Sequence, residues 1–131
     1  MIKKTVKYVD FEGVEREENF FFNLTEAELT ELELSETGGL KKTLERIIEA
    51  QNTKELVRIF KVLLLQAYGE KSLDGRRFVK SEEITKNFEQ TVAYSDIFME
   101  LAFDDEKASE FINGLIVAVP KRQPDPIYQP K

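Results

Sequence analysis

The sequence predicts an α+β fold that is mostly α: an N-terminal β-hairpin packed on a bundle of about five to six helices. Three observations carry that expectation. Two runs, 2–9 and 14–22, alternate with period two around a short turn signal. Thr25 and Glu28 then make the spacing of a capping box directly behind Phe20-Phe21-Phe22-Asn23-Leu24. Beyond it, apolar residues recur at helical spacing as far as Val119.

In the first strand Ile2, Val6 and Tyr8 share a face; in the second, Val14, Phe20 and Phe22 share one. Asp10-Phe11-Glu12-Gly13 supplies the turn, with Asp at the first position and Gly at the fourth, where a positive φ costs little. Pairing Asp10 with Val14 sets Lys7 against Glu17, Ile2 against Phe22 and Lys4 against Phe20. A lone hairpin is marginal in water, so this one has to pack on the helices or on another chain.

The first helix is expected from about Thr25 to Leu34. Leu24, Leu29 and Leu32 anchor it, Glu26, Glu31 and Glu33 face solvent, and Thr37-Gly38-Gly39 stops it. A second helix covers about 40–50 with Leu40, Leu44, Ile47 and Ile48 at helical spacing. A third, about Lys54 to Tyr68 with Thr53 as its cap, is apolar nearly all round through Leu56, Phe60, Leu63 and Ala67 and their neighbours. It reads as the centre of the core. Gly69 stands where a left-handed terminal residue would end that helix.

Glu70 to Lys80 reads as a loop with Asp74-Gly75 as its turn. Ser81 caps a further helical region that reaches Phe103, either one helix or two broken near Tyr94-Ser95. Asp104 or Asp105 caps a last helix carrying Phe111, Ile112 and Leu115. One globular domain is expected over 1–119, made of a hairpin at 2–22 and a helical body at 25–116. A flexible C-terminal tail is expected over 120–131, where four prolines gather.

Composition narrows the function classes. The 131 residues contain neither Cys nor His. That removes disulfides, thiolate nucleophiles, the commonest general base and the commonest metal ligand. No apolar run approaches the roughly 18 residues of a membrane span, and no signal-peptide core follows Met1. Net charge is −6, and residues 10–36 hold ten acids against one Arg. Such a segment argues against nucleic-acid binding. It reads as a solvated face or as an acidic docking surface for a basic partner.

No catalytic, cofactor-binding or metal-binding residues are expected. Asp104-Asp105-Glu106 lacks the alternating ligand spacing of a calcium loop and suits a helix start. Gly38-Gly39 lacks the pattern of a phosphate cradle. Arg76-Arg77 with Lys80 reads as a solvated loop, with anion contact as the sharper alternative. The candidate partner-contact residues are Phe98, Met99, Leu101, Phe103 and Phe21. The first four fall on more than one side of a helix, and internal packing is the competing reading for them. Phe21 turns away from Phe20 and Phe22, either under a helix or into an exposed patch.

Three blocks carry a resemblance. They are Lys7-Tyr8-Val9-Asp10-Phe11-Glu12-Gly13-Val14-Glu15-Arg16-Glu17-Glu18-Asn19-Phe20-Phe21-Phe22-Asn23-Leu24-Thr25, then Ala67-Tyr68-Gly69-Glu70-Lys71-Ser72-Leu73-Asp74-Gly75-Arg76-Arg77-Phe78, then Phe98-Met99-Glu100-Leu101-Ala102 with Phe111-Ile112-Asn113-Gly114. Over about residues 2–117 the chain resembles the tail assembly chaperones of long-tailed phages and prophages of Gram-positive bacteria. The resemblance implies a non-enzymatic factor of the host cytoplasm, absent from the finished virion. It implies a tape-measure protein as partner, kept soluble, and a tail-tube protein whose polymerisation is assisted. It implies no cofactor, no nucleic acid and no membrane, and it leaves self-association open. Two rivals remain at this level: a structural tail or head–tail connector component, and a small helical regulator or inhibitor.

Overall fold

The computed structural model describes residues 1–35 and 38–117. Strand β1 (Ile2–Val9) and strand β2 (Glu15–Phe22) form the expected hairpin in the expected register, with Ile2 opposite Phe22, Lys4 opposite Phe20 and Lys7 opposite Glu17. The Lys7 and Glu17 side chains meet at 3.5 Å. On the inner face Phe20 and Phe22 are buried and Ile2, Lys4, Val6 and Tyr8 half-buried; Lys3, Thr5, Lys7 and Val9 point to solvent. The turn is closed by Gly13 N–H donating to the Asp10 carbonyl at 3.0 Å, with Gly13 at φ +80°. That is the three-residue connection in which glycine takes the left-handed position.

Helix α1 (Glu26–Ser35) starts on a complete capping box. Glu28 N–H donates to Thr25 Oγ1 at 3.1 Å, and Thr25 N–H donates to Glu28 Oε1 at 2.9 Å. Helices α2 (Leu40–Glu49) and α3 (Thr53–Ala67) follow. The cap of α3 is Asn52, not the expected Thr53: the Asn52 side chain accepts from Glu55 N–H at 3.2 Å. Gln51, at a positive φ of 52°, turns the chain immediately before this cap. Ile48, expected on the apolar stripe of α2, is 59% exposed. Leu40 and Thr43 are the residues of that helix that are fully buried.

The largest departure from expectation lies between α3 and the next helix. Tyr68 and Gly69, expected to end the third helix, join residues of the expected 70–80 loop in a second hairpin, β3 (Tyr68–Lys71) and β4 (Phe78–Val79). Pairing of Phe22 with Tyr68 and of Phe21 with Gly69 makes a four-stranded antiparallel sheet in the order β1-β2-β3-β4. Gly69 therefore does not end α3 in a left-handed conformation; it is a strand residue. Its role is close approach: a Cβ there would lie 2.6 Å from the Phe78 ring. Tyr68 serves at once as the C-cap of α3 and the first residue of β3.

Residues 82–102 are two helices, α4 (Glu82–Glu89) and α5 (Val92–Ala102). The break falls at Gln90-Thr91, not near Tyr94-Ser95. Thr91 starts α5 by accepting from Tyr94 N–H at 3.0 Å, as Ser81 starts α4 by accepting from Ile84 N–H at 3.1 Å. Helix α6 (Asp105–Val117) starts on Asp104, which accepts from Lys107 N–H at 3.1 Å. The expected tail at 120–131, the end of the expected domain at 119 and Thr37 of the helix stop lie outside the described residues.

The core gathers residues from every helix and from the sheet. Phe22, Leu64, Ile97, Leu101 and Leu115 are its largest fully buried side chains. Phe22 meets Phe111 at 5.4 Å, Phe88 at 5.8 Å and Tyr68 at 5.8 Å between ring centres, and Tyr68 stacks on Phe88 at 3.9 Å. Such pairs add about 0.5–1.5 kcal/mol each beyond the area they bury.

Two outcomes test this packing. Phe60 is 3% exposed and meets Phe98 and Phe111. Phe60→Ala is expected to cost about 3–5 kcal/mol in denaturant unfolding; a loss below about 0.5 kcal/mol, the scale of a surface change, would displace α3 from the centre of the core. Gly69→Ala should cost about 1–3 kcal/mol by overpacking against Phe78. Adding Phe78→Ala should recover part of that loss, and strictly additive effects would show that the ring is not the obstacle.

Candidate partner-binding surface

The five residues singled out from sequence divide by burial. Leu101 is 1% exposed and lines up with Ala93 and Ile97, both fully buried, on the core side of α5. Its candidacy as a contact residue is corrected: the i, i+4, i+8 spacing is the packing stripe of the helix. Phe98 is half-buried, 6.2 Å from the Phe60 ring and 5.9 Å from Tyr94. Phe21 lies on the outer face of the sheet, half-buried, with the Lys71 ammonium 4.2 Å from its ring centre. That cation covers the ring and is stabilising where both remain partly wet.

Met99 and Phe103 are the two that reach solvent, at 54% and 73% exposure. They stand four residues apart, so they share one face of α5 and its cap. Ser95, one turn earlier, is exposed on that face too. Glu100 borders it and is held from two sides, by Lys4 of β1 and by Lys107 of α6, each at 3.3 Å. The helix is thus tied to its neighbours beside an apolar pair that is mostly exposed.

The acidic segment is partly spent on structure. Glu28 accepts from Lys80 at 2.7 Å as well as from Thr25 N–H, and Glu33 accepts from Leu40 N–H at 3.1 Å. Lys80 also donates to the Asn23 carbonyl at 2.7 Å. Lys80 therefore belongs to an internal tie between β2, α1 and the start of α4, and it does not join Arg76 and Arg77 as an anion contact. Beside this tie lies an open groove of about 550 Å³, with Leu32 and Leu65 among its lining and Glu28 and Glu31 on the α1 side.

Apolar exposure occurs at positions the sequence reading did not single out. Phe11 is 82% exposed at the hairpin turn, with Val9 at 51% and Val14 at 50% beside it; Leu34 and Leu73 are more than four-fifths exposed elsewhere. The signal for Phe11 was present in the sequence. A residue at the second position of a turn projects outward, whatever its hydropathy.

Among the described residues, no group of three His, Cys, Asp or Glu could hold a metal ion. No helix among them is long and apolar enough to cross a membrane.

Burial pushes the Glu28 carboxyl up, but the Lys80 ammonium and the Thr25 N–H outweigh it and hold the group below its ordinary value of 4.5. A carboxyl held low contributes stability that is complete above its unfolded value and is lost as pH falls through the depressed one. Denaturation midpoints should therefore drop on acidification below about pH 4.5, and drop less in Glu28→Gln. Parallel pH curves for the two proteins would show that the tie carries no proton linkage.

Over residues 1–122 the chain matches a family described as phage tail assembly chaperone. Neither the curated proteins nor the solved structures contained a match.

Proposed function

The chain belongs to the phage tail assembly chaperone family, and from that premise we propose that it binds the tape-measure protein and assists polymerisation of the tail tube around it. The observation that carries this reading is the exposed pair Met99 and Phe103 on one face of α5. A tape-measure protein is a long helical chain with apolar faces to shield before assembly, as the family resemblance implies. A helix presenting Met and Phe one turn apart meets such a face by helix-on-helix packing. Methionine adds an unbranched, polarisable side chain that adapts to varied partners. The acidic residues of β2 and α1 add attraction toward a basic partner, which salt weakens.

The role proposed is binding without chemistry, in the host cytoplasm while tails assemble. A chaperone of this kind associates with tail proteins, tape-measure and tube, and with neither nucleic acid nor a lipid bilayer.

Co-expression tests the reading. The tape-measure protein of the same phage should be soluble and recoverable in a complex when this chain is present, and insoluble when it is not. Met99→Ser with Phe103→Ser should reduce recovery about tenfold or more, the loss expected when exposed anchors of an interface are removed. Equal tape-measure solubility with and without the chain, together with no complex at low salt, would defeat the chaperone reading. Recovery of this chain in purified particles would favour a structural tail component.

A further inference from the structure

The β1–β2 hairpin reaches beyond the helical body. From Val9 to Asn19 every residue is exposed except Asp10, which is half-buried. The arm nevertheless ends in an ordered tip. Asp10 Oδ1 accepts from Glu12 N–H at 2.9 Å and from Val14 N–H at 3.0 Å, and Asp10 Oδ2 accepts from the Arg16 guanidinium. Asp10 N–H donates to the Val14 carbonyl at 2.9 Å. Lower down, Tyr8 Oη donates to Glu18 and Lys7 pairs with Glu17. These contacts fix the backbone on which Phe11 is carried, yet Phe11 itself is 82% exposed, and Val9 and Val14 extend the apolar tip.

Charge narrows what the tip would meet. Residues 9–19 carry five acids and one Arg. Asp10 and Glu17 are engaged by cations and Glu18 by a hydroxyl, while no ion pair engages Glu12 or Glu15 among the described residues. The other exposed turn of the sheet offers a contrast within the same molecule. Leu73 there is wholly exposed, but its turn carries Lys71, Arg76 and Arg77 against the single acid Asp74. Both tips expose apolar side chains, but their net charges are opposite, so one partner surface does not suit both.

We infer that the hairpin arm is a second docking element for the tape-measure protein, on which Phe11 enters an apolar recess rimmed by lysine or arginine, with Glu12 and Glu15 pairing to that rim. This rests on the chaperone reading above and adds a contact distinct from α5. A buried aromatic anchor with flanking charges is the arrangement that concentrates binding energy in few residues. Holding the anchor in place before binding removes part of the ordering cost. The flanking carboxylates set encounter rate and partner choice.

The test titrates the full chain, fluorescently labelled, with the purified tape-measure protein of the same phage, at low salt and with a few hundred millimolar added salt. Phe11→Ala should weaken binding by about 30-fold or more while leaving the circular dichroism spectrum and melting curve unchanged, because the ring is in solvent. Leu73→Ala, which removes an exposed apolar side chain from the basic tip, should leave affinity within about twofold. Glu12→Gln with Glu15→Gln should slow association at low salt and flatten its salt dependence. If the unaltered chain binds and Phe11→Ala binds equally well, the arm is not a docking element and the chaperone reading stands. If the unaltered chain does not bind at low salt, both fall. If Phe11→Ala abolishes a concentration-dependent dimer and leaves tape-measure binding intact, the occupant is a second copy and the inference is overturned.

Discussion

Phe22 joins the parts of this fold. It is the last residue of β2, it has no exposed surface, and its ring meets Tyr68 of β3, Phe88 of α4 and Phe111 of α6. Its backbone pairs with Ile2 on one side and Tyr68 on the other. A hairpin alone does not hold in water, and the six helices of the described residues have no common partner until something runs between them. The aromatic cluster solves both problems at once. It gives the hairpin a buried base, so that the far end can extend into solvent. It also draws together helices distant in sequence, at the loop-closure cost any such contact carries.

Where the sequence was legible, the physics was local. The β1–β2 register followed from one turn, because a Gly at the fourth position and a period of two leave little choice. The capping box at Thr25 and Glu28 was readable for the same reason: both of its bonds span three residues. The starts at Ser81 and Asp104 were equally local. The second hairpin was not. Tyr68-Gly69-Glu70-Lys71 has no alternation of its own, and Phe78-Val79 is too short to show any. Tyr68 and Gly69 are strand residues because β2 offers them Phe22 and Phe21 as partners across nearly fifty positions, Phe78-Val79 then pairs with β3, and no window on the sequence contains both β2 and β3.

The binding surface was legible in outline only. Residue type pointed to the Phe98–Phe103 stretch, but type does not tell which side of a helix faces the core. Leu101 went inward and Met99 outward because the stripe through Ala93 and Ile97 fixes the rotation of α5. Phe21 could not be placed from alternation alone, since its cover comes from Lys71 in a strand that the sequence did not reveal. The acidic run likewise mixed two kinds of carboxylate. Glu28 and Glu33 hold backbone and lysine groups in place, while no ion pair engages Glu12 or Glu15 among the described residues.

The passage from α3 into β3 contains no spare residue, for Tyr68 closes the helix and opens the strand. One inserted residue there would turn the strand through a half period, sending Tyr68 toward solvent and a polar side chain into the aromatic cluster. One deleted residue would pull Gly69 away from Phe78 and place a side chain against that ring. The turn from Ser72 to Arg77 is exposed over nearly all its length and borders no core residue, so chain length there can drift. Among relatives of this chain, length variation should therefore collect at that turn and be absent from the helix-to-strand junction, which makes the junction the better anchor for aligning distant sequences.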